Sequence, residues 1–387
     1  MCRIRKKIVL LLSGFLLQSC TQVDDFMLGK DNTPTPNKLA PLTTKVPLKE
    51  KWSVPISSSQ RSSANTKLKP EIVGNVIYTA DASGLVQAVD KSNGKLIWSK
   101  KIANGVVSGP AMGEGVIALG TDASSLVLLS QKEGTELWQT KVSSEVLSKP
   151  VISGNKVIAK TIDGNLYAFR LSNGEKLWHS EHGAPSLILK ASSSPVVVGN
   201  LALVGYSDGK MDAVDIETGR LVWQRNIAYA SGASDVERLV DIDADPIVRG
   251  STAYLASYQG YVGALSLIDG QFVWRKPASV YKNMAIDNST IYLTDSEDVI
   301  WSINRQSGQV NWKQIALKAR GLTEPVLMGD RLIIGDKTGL LHVVATQNGD
   351  LISRTQVGGG VAIAPTVVGE NVYVLSTNGK LSRYSVG

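Results

Sequence analysis

The sequence predicts an all-β fold: an eight-bladed β-propeller of four-stranded antiparallel blades, its ring closed by an N-terminal strand that completes the last blade. Three observations predict it. A Gly-x-x-x-Trp element recurs along the body, a second landmark stands at a near-constant distance upstream of each copy, and the final unit stops one strand short. The element appears as Gly94/Trp98, Gly134/Trp138, Gly174/Trp178, Gly219/Trp223, Gly270/Trp274 and Gly308/Trp312, and a further copy carries Ser353 in the Trp slot. Upstream stand Pro70, Pro110, Pro150, Pro195, Pro246, Pro325 and Pro365, with Ala285 in the sixth unit. Subtraction gives 28 residues from landmark to Trp slot in units one to five and in unit seven, and 27 in unit six. A fixed interval between turn residues means one supersecondary unit copied along the chain.

Each unit reads as four short strands, and the third shows why. Pro150-Val151-Ile152 opens it, since a proline at the start of a strand costs no ladder hydrogen bond. Lys156–Lys160 follows, Asp163-Gly164 turns the chain, Leu166–Phe169 returns, Asn173-Gly174 turns it again, and Lys176-Leu177-Trp178 ends the unit. Asp-Gly and Asn-Gly are preferred hairpin dipeptides, and in a two-residue loop both positions take positive φ. The last unit begins at Pro365 and ends at Gly387, before its second turn and fourth strand. The missing strand has a candidate in Glu50-Lys51-Trp52-Ser53-Val54, which brings its own Trp. Such closure removes an exposed sheet edge. Trp52, Trp98, Trp138, Trp178, Trp223, Trp274 and Trp312 are expected to fill the wedges between blades, with the glycines at positive-φ turn positions.

The N-terminus reads as an address. Arg3, Arg5, Lys6 and Lys7 precede an apolar run from Ile8 to Leu17, too short for a permanent membrane span and suited to a signal-peptide core. Leu17-Gln18-Ser19-Cys20 resembles a bacterial lipobox, in which the Cys receives lipid. The expected organisation is therefore a lipoprotein signal peptide over 1–19, a lipidated Cys20 with a flexible tether over 20–49, and the propeller over 50–387. Pro34, Pro36, Pro41 and Pro47 suit the tether. Thr21 replaces the Asp that commonly marks inner-membrane retention in such lipoproteins, so the resemblance implies an outer-membrane, periplasm-facing location.

Composition removes several function classes. The formal charge of +7 (41 basic minus 34 acidic) loses four positive charges with the leader, which takes away the main support for nucleic-acid binding. The two cysteines, Cys2 and Cys20, both precede the body, so a disulfide scaffold, a thiolate zinc site and a thiol nucleophile are excluded there. His179-Ser180-Glu181-His182 hints at a metal but lacks a third ligand nearby and the helical spacing of a zincin. Asp241-Ile242-Asp243-Ala244-Asp245 resembles the start of a calcium loop, with Pro246 where the glycine belongs and Thr252 where the bidentate Glu belongs. No metal or cofactor is expected, and no catalytic residue is assigned.

Two segments, Ala88–Trp98 and Ala213–Trp223, resemble the PQQ-type propeller repeat, a likeness that extends over 50–387. Together with the lipobox and the otherwise bare ring, the chain is similar to the BamB-like lipoproteins of the outer-membrane β-barrel assembly (Bam) machinery. Quinoprotein dehydrogenases share the repeat. That resemblance would ask for long additions to the ring, acidic calcium ligands and commonly a vicinal Cys pair, and the body has no cysteine.

Function is expected where the spacing breaks. Most gaps from Trp slot to next landmark are 11 to 13 residues, but Trp52–Pro70 is 18, Trp178–Pro195 is 17 and Trp223–Pro246 is 23. The last two flank one blade on the same face. Leu187, Ile188, Leu189 and Lys190 in the first, beside the acidic and apolar run from Ser234 to Asp243 in the second, have the chemistry of a protein-binding surface. The alternative is that these apolar residues fold back onto the ring. The resemblance implies that the two loops contact the POTRA domains of BamA. Its Leu-x-Leu-Arg pattern falls on Leu187, Leu189 and Lys190, and its Asp-x-Asp on Asp241 and Asp243. Lys190 keeps the charge of the Arg but not its planar fork. Such a scaffold would either hold BamA's domains in place or offer blade edges to unfolded outer-membrane proteins. A PQQ- or metal-dependent periplasmic enzyme and an envelope-binding module with a different partner stay open as other classes.

Overall fold

The computed structural model describes residues 34–56, 68–183, 192–229, 233 and 239–386. Within the compact unit Asn37–Gly387, the strands form eight sheets, each of four antiparallel strands. Blades 1 to 7 each consist of four consecutive strands, so blade 3 is Val151–Ser153, Lys156–Lys160, Asn165–Arg170 and Lys176–Glu181 in spatial order. Blade 8 takes its first three strands from Thr366–Val368, Asn371–Leu375 and Lys380–Val386, and its outer strand is Leu48–Pro55. The expected closure is therefore present, with Trp52 opposite Arg383 and Val54 opposite Leu381.

Burial follows from position in the blade. The second and third strands lie between neighbouring sheets and read as apolar runs, as in Val116–Thr121, buried throughout. Outer strands alternate exposed and half-buried residues, as in Glu136–Lys141. One hairpin expectation is corrected. At Asp163-Gly164 and Asn173-Gly174 only the glycines adopt positive φ, +87° and +71°. The loops are longer than two residues: Gly164 N–H donates to Thr161 O and Thr161 N–H to Asn165 O, while Gly174 N–H donates to Arg170 O and Arg170 N–H to Glu175 O. In these longer loops one left-handed residue closes an ordinary turn.

The tandem landmarks meet across blade boundaries. The Trp of one outer strand packs over the Gly at the last turn of the following blade: Trp52 on Gly94, Trp98 on Gly134, Trp138 on Gly174, Trp178 on Gly219, Trp274 on Gly308 and Trp312 on Gly349. A Cβ on these glycines would stand 2.6 to 2.9 Å from the ring, too close for any other residue. In four of these six contacts the indole N–H reaches a backbone oxygen of that next blade, from Trp138 to Leu171 (2.8 Å), Trp178 to Ile216 (2.9 Å), Trp274 to Arg305 (2.9 Å) and Trp312 to Thr346 (2.9 Å), whereas Trp52 Nε1 is buried without such a bond. At the boundary of blades 7 and 8 the sizes are exchanged: Ser353 is in the Trp slot, and Leu48, four residues before Trp52, is in the Gly slot, both buried.

The flexible tether expected over 20–49 is corrected for its C-terminal part, 37–49. From Asn37 the chain is laid on blades 6 and 7, with Asn37 N–H bonded to Lys318 O (3.0 Å), its Nδ2 to Ile315 O (3.0 Å), and Lys45 N–H to Ile352 O (2.9 Å). Leu39 packs into the apolar cluster of Leu317, Leu322 and Trp312. Cys20 lies outside the described residues.

The Trp–Gly contact is testable by paired substitution. Gly199→Ala, at φ +58° with open space around it, is expected to lose only backbone strain of about 1–2 kcal/mol. Gly219→Ala, at φ +73° with its Cβ 2.7 Å from the Trp178 ring, is expected to lose about 1–3 kcal/mol more. Denaturant unfolding of both variants checks this, and equal losses would count against the contact.

Candidate functional site

The two long connections flank blade 4, one entering it from blade 3 and one leaving it for blade 5, and the described parts of both are tied down by polar groups. His182, just beyond the outer strand of blade 3, is enclosed, its side chain 4% exposed. Its Nδ1 lies 2.7 Å from Asp212 Oδ2 and its Nε2 lies 3.2 Å from both oxygens of Asp208. The imidazole stacks on the Tyr206 ring at a centroid distance of 3.6 Å and an angle of 5°. Lys210 Nζ pairs with Asp208 (2.7 Å), and Gln224 Nε2 donates to the other oxygen of Asp212 (2.9 Å). Tyr206 and Asp208 belong to the turn between the second and third strands of blade 4, Lys210 and Asp212 to its third strand, and Gln224 to its outer strand. One imidazole thus joins the end of blade 3 to three parts of blade 4.

Burial opposes a charge on His182, but the bonds to Asp208 and Asp212 and their charges outweigh it and raise its pKa to about 9. Burial likewise acts against ionised Asp208, and the bonds from His182 and Lys210 reverse this, lowering it to about 2. A doubly protonated imidazole donating to two carboxylates is the state this geometry favours.

The second connection ends in a strap, Leu239–Asp245, that crosses from blade 4 to blade 5. Leu239, Val240 and Ile242 are buried, as in the fold-back alternative. Ile242 is pressed onto Gly205, where a Cβ would stand 2.5 Å from its Cγ2, and Ile242 N–H donates to Tyr206 O (3.2 Å). Asp245 Oδ1 accepts from Ser194 N–H (2.6 Å), while Asp245 N–H donates to Asn283 Oδ1 (2.7 Å). Asp241 O accepts from Tyr258 N–H (2.8 Å).

The site residues expected from sequence fall into two groups. Leu187, Leu189 and Lys190 lie outside the described residues. Asp241 and Asp243 are 0% and 2% exposed, so the expectation that these carboxylates stand open on a protein-binding surface is corrected. The alternate apolar residues of the strap pack inward, and the carboxylates between them are enclosed as well. Asp243 and Asp245 border a central cavity of about 490 Å³, shared with Lys149, Lys282, Glu324 and Ile363 from other blades. The two histidines do not converge: His179 stacks on Tyr167 (5.7 Å) and His182 on Tyr206. Sequence reasoning missed Tyr206, Asp208 and Asp212. The signal for them is Asp212, a carboxylate set between Met211 and Ala213 in the interior of the third strand Lys210–Asp215.

Comparison with known proteins points one way. The family model described as outer membrane protein assembly factor BamB matches residues 82–314 and 316–387. A protein of that name from Legionella pneumophila is 58% identical over 98% of this chain and 99% of its own length. The crystal structure of BamB from Moraxella catarrhalis superposes with a TM-score of 0.79 at 25% identity, covering 87% of this chain and 99% of that one. A quinohemoprotein alcohol dehydrogenase from Comamonas testosteroni superposes with a TM-score of 0.72 at 15% identity, over 88% of this chain and 76% of that one. This last likeness is one of fold alone.

The His182 cluster has a pH signature. Because its folded pKa of about 9 lies above the ordinary histidine value, its stabilisation is complete below about pH 6.5 and is lost as pH rises through 9. Between pH 7 and 10 the protein is expected to lose stability that a His182→Gln variant, already lower at pH 7, does not lose. Thermal unfolding across that range checks it, together with an NMR titration of the His182 ring. A midpoint near 6.5 would contradict the ion-paired arrangement.

Proposed function

This chain belongs to the BamB family of outer-membrane protein assembly factors, and from that premise we propose that it docks on the POTRA domains of BamA through the face of blade 4. It is a non-enzymatic component of the Bam complex that supports outer-membrane protein assembly. The observation that carries the docking reading is that both enlarged connections of the ring beside blade 4 are rooted in one locked base, His182 with Asp208 and Asp212, and the strap over Gly205. Leu187, Leu189 and Lys190 supply the apolar and cationic contact, and the enclosed Asp241 and Asp243 seat the second loop. Lipid on Cys20 holds the ring on the periplasmic side of the outer membrane. A second reading, in which unfolded substrate strands add to outer blade edges, is favoured by the aliphatic residues exposed there: Leu96, Ile97, Leu137, Leu221, Val222 and Val273.

Binding of lipid-free residues 21–387 to the isolated POTRA domains tests the docking reading. A Leu189→Glu variant is expected to weaken it by about tenfold or more, while Val368→Glu, at an exposed position on blade 8, leaves it unchanged. Full binding by Leu189→Glu would move the site, and no binding by the unaltered protein would overturn POTRA docking. Metabolic labelling with radioactive palmitate tests the anchor. Label is expected in the full chain and absent from Cys20→Ser, and equal labelling of both would refute lipidation at that residue.

A further inference from the structure

At the boundary of blades 4 and 5 the Trp–Gly rule is broken by a third kind of residue. The side chain pressed on Gly270 is Arg225, whose Nε lies 2.6 Å from where a Cβ would stand, although Trp223 is present in its own slot. Arg225 spends its guanidinium on backbone oxygens: Nε on Gly270 (3.1 Å), Nη2 on Asp269 (2.9 Å) and Nη1 on Gln224 (2.9 Å). Asp269 meets it through that backbone oxygen, its own carboxylate accepting from Gln271 N–H (3.1 Å). Beside it Arg275 lies over the rings of Tyr261 (4.7 Å) and Phe272 (5.4 Å). Among the described residues Arg275 makes no ion pair, and the Asp269 carboxylate acts on Arg225 from beyond ion-pair distance.

We propose that the groove between the outer strands of blades 4 and 5 binds an extended acidic peptide segment of a partner protein. The groove encloses about 470 Å³ and is lined by Gln224–Asn226 on one side and 270–272 with Arg275 on the other. It is bordered by two strand segments, Gln224–Asn226 and Phe272–Arg275, along which an extended chain can lie. Its lining holds two arginines and no carboxylate; the Asp269 carboxylate beside it offsets part of the Arg225 charge, while Arg275 adds a charge with no ion-pair partner among the described residues, so the field favours negative charge, and planar guanidinium groups suit carboxylates. Leu221–Asn226 is the last strand of its sheet, which leaves an edge for main-chain pairing. Tyr229, 62% exposed at the end of the groove, and half-buried Phe272 offer aromatic surface to the incoming side chains. The groove is on the outer strands of the ring, and the proposal does not rest on POTRA docking.

Fluorescence anisotropy with lipid-free residues 21–387 tests it, using labelled short peptides in which valine and tyrosine alternate with Asp/Glu, with Lys, or with Ser/Gln. The acidic peptide is expected to bind at least about tenfold more tightly than the neutral one, and more weakly at high salt. Arg275→Glu, at an exposed position, is expected to abolish this with an unchanged melting temperature, Arg275→Lys to retain part of it, and POTRA binding to be unaffected by either. Equal binding of acidic and basic peptides, full binding by Arg275→Glu, or no peptide binding would each overturn the proposal. Anionic phosphatidylglycerol vesicles form a separate arm. Vesicle binding sensitive to Arg275→Glu without peptide binding would assign the groove to lipid and also overturn it.

Discussion

The ring depends on one contact, an indole laid over a glycine that belongs to the next blade. A four-stranded blade cannot bury its own faces, so stability comes from stacking neighbours, as in any repeat architecture. Adjacent blades diverge towards the perimeter, where the wedge between them is widest. A Trp on the outer strand fills it with the largest available side chain, and the facing Gly removes the only atoms that would block its approach. The indole N–H bond to the next blade's backbone adds direction to that packing. Because the two halves of the contact sit on different blades, each unit is incomplete without its successor. The last unit borrows its outer strand from the N-terminus, and Trp52 of that strand lies on Gly94 of blade 1.

Two boundaries solve the same problem with other residues. Between blades 7 and 8 a small Ser353 faces a slot that holds Leu48, which keeps volume roughly balanced while reversing which side supplies it. Between blades 4 and 5 Arg225 covers Gly270 and binds backbone oxygens around it. Arg leaves a charge and an open groove where Trp leaves an apolar plug. Blade 4 thus differs from its neighbours on its perimeter and through both enlarged connections on its face. Concentrating departures on one blade lets the remaining blades serve as a rigid mount.

The face of blade 4 is held by electrostatics rather than by the repeat. His182, Asp208, Asp212 and Lys210 form an alternating set of charges, each with an opposite partner, so the cost of enclosing them is offset only while all are present. The strap from Leu239 to Asp245 passes between the ends of blades and bonds backbone groups of Ser194, Tyr206 and Tyr258. This arrangement fixes the described ends of both long connections to the blades beside them.

The eight blades, their order and their closure were legible in the sequence because each depends on local turn chemistry and on a constant interval, as with Gly94/Trp98 and the orphan strand around Trp52. The long connections beside blade 4 were legible as broken spacing. What each landmark touches was not, since the Trp–Gly contact joins residues some forty positions apart, as with Trp178 and Gly219. Hairpin loop length was also misread, because hydrogen bonds such as Thr161 N–H to Asn165 O, and not the Asp-Gly dipeptide, set which residue turns left-handed. Asp241 and Asp243 read as open carboxylates of a protein-binding surface from their charge, yet burial is decided by where the strap lies against other blades. The His182 cluster, drawn from a loop, a turn and two strands, exists only once blades 3 and 4 are side by side. Periodic, local physics wrote the architecture into the sequence; the packing of distant segments alone decided which side chains are exposed, paired or charged.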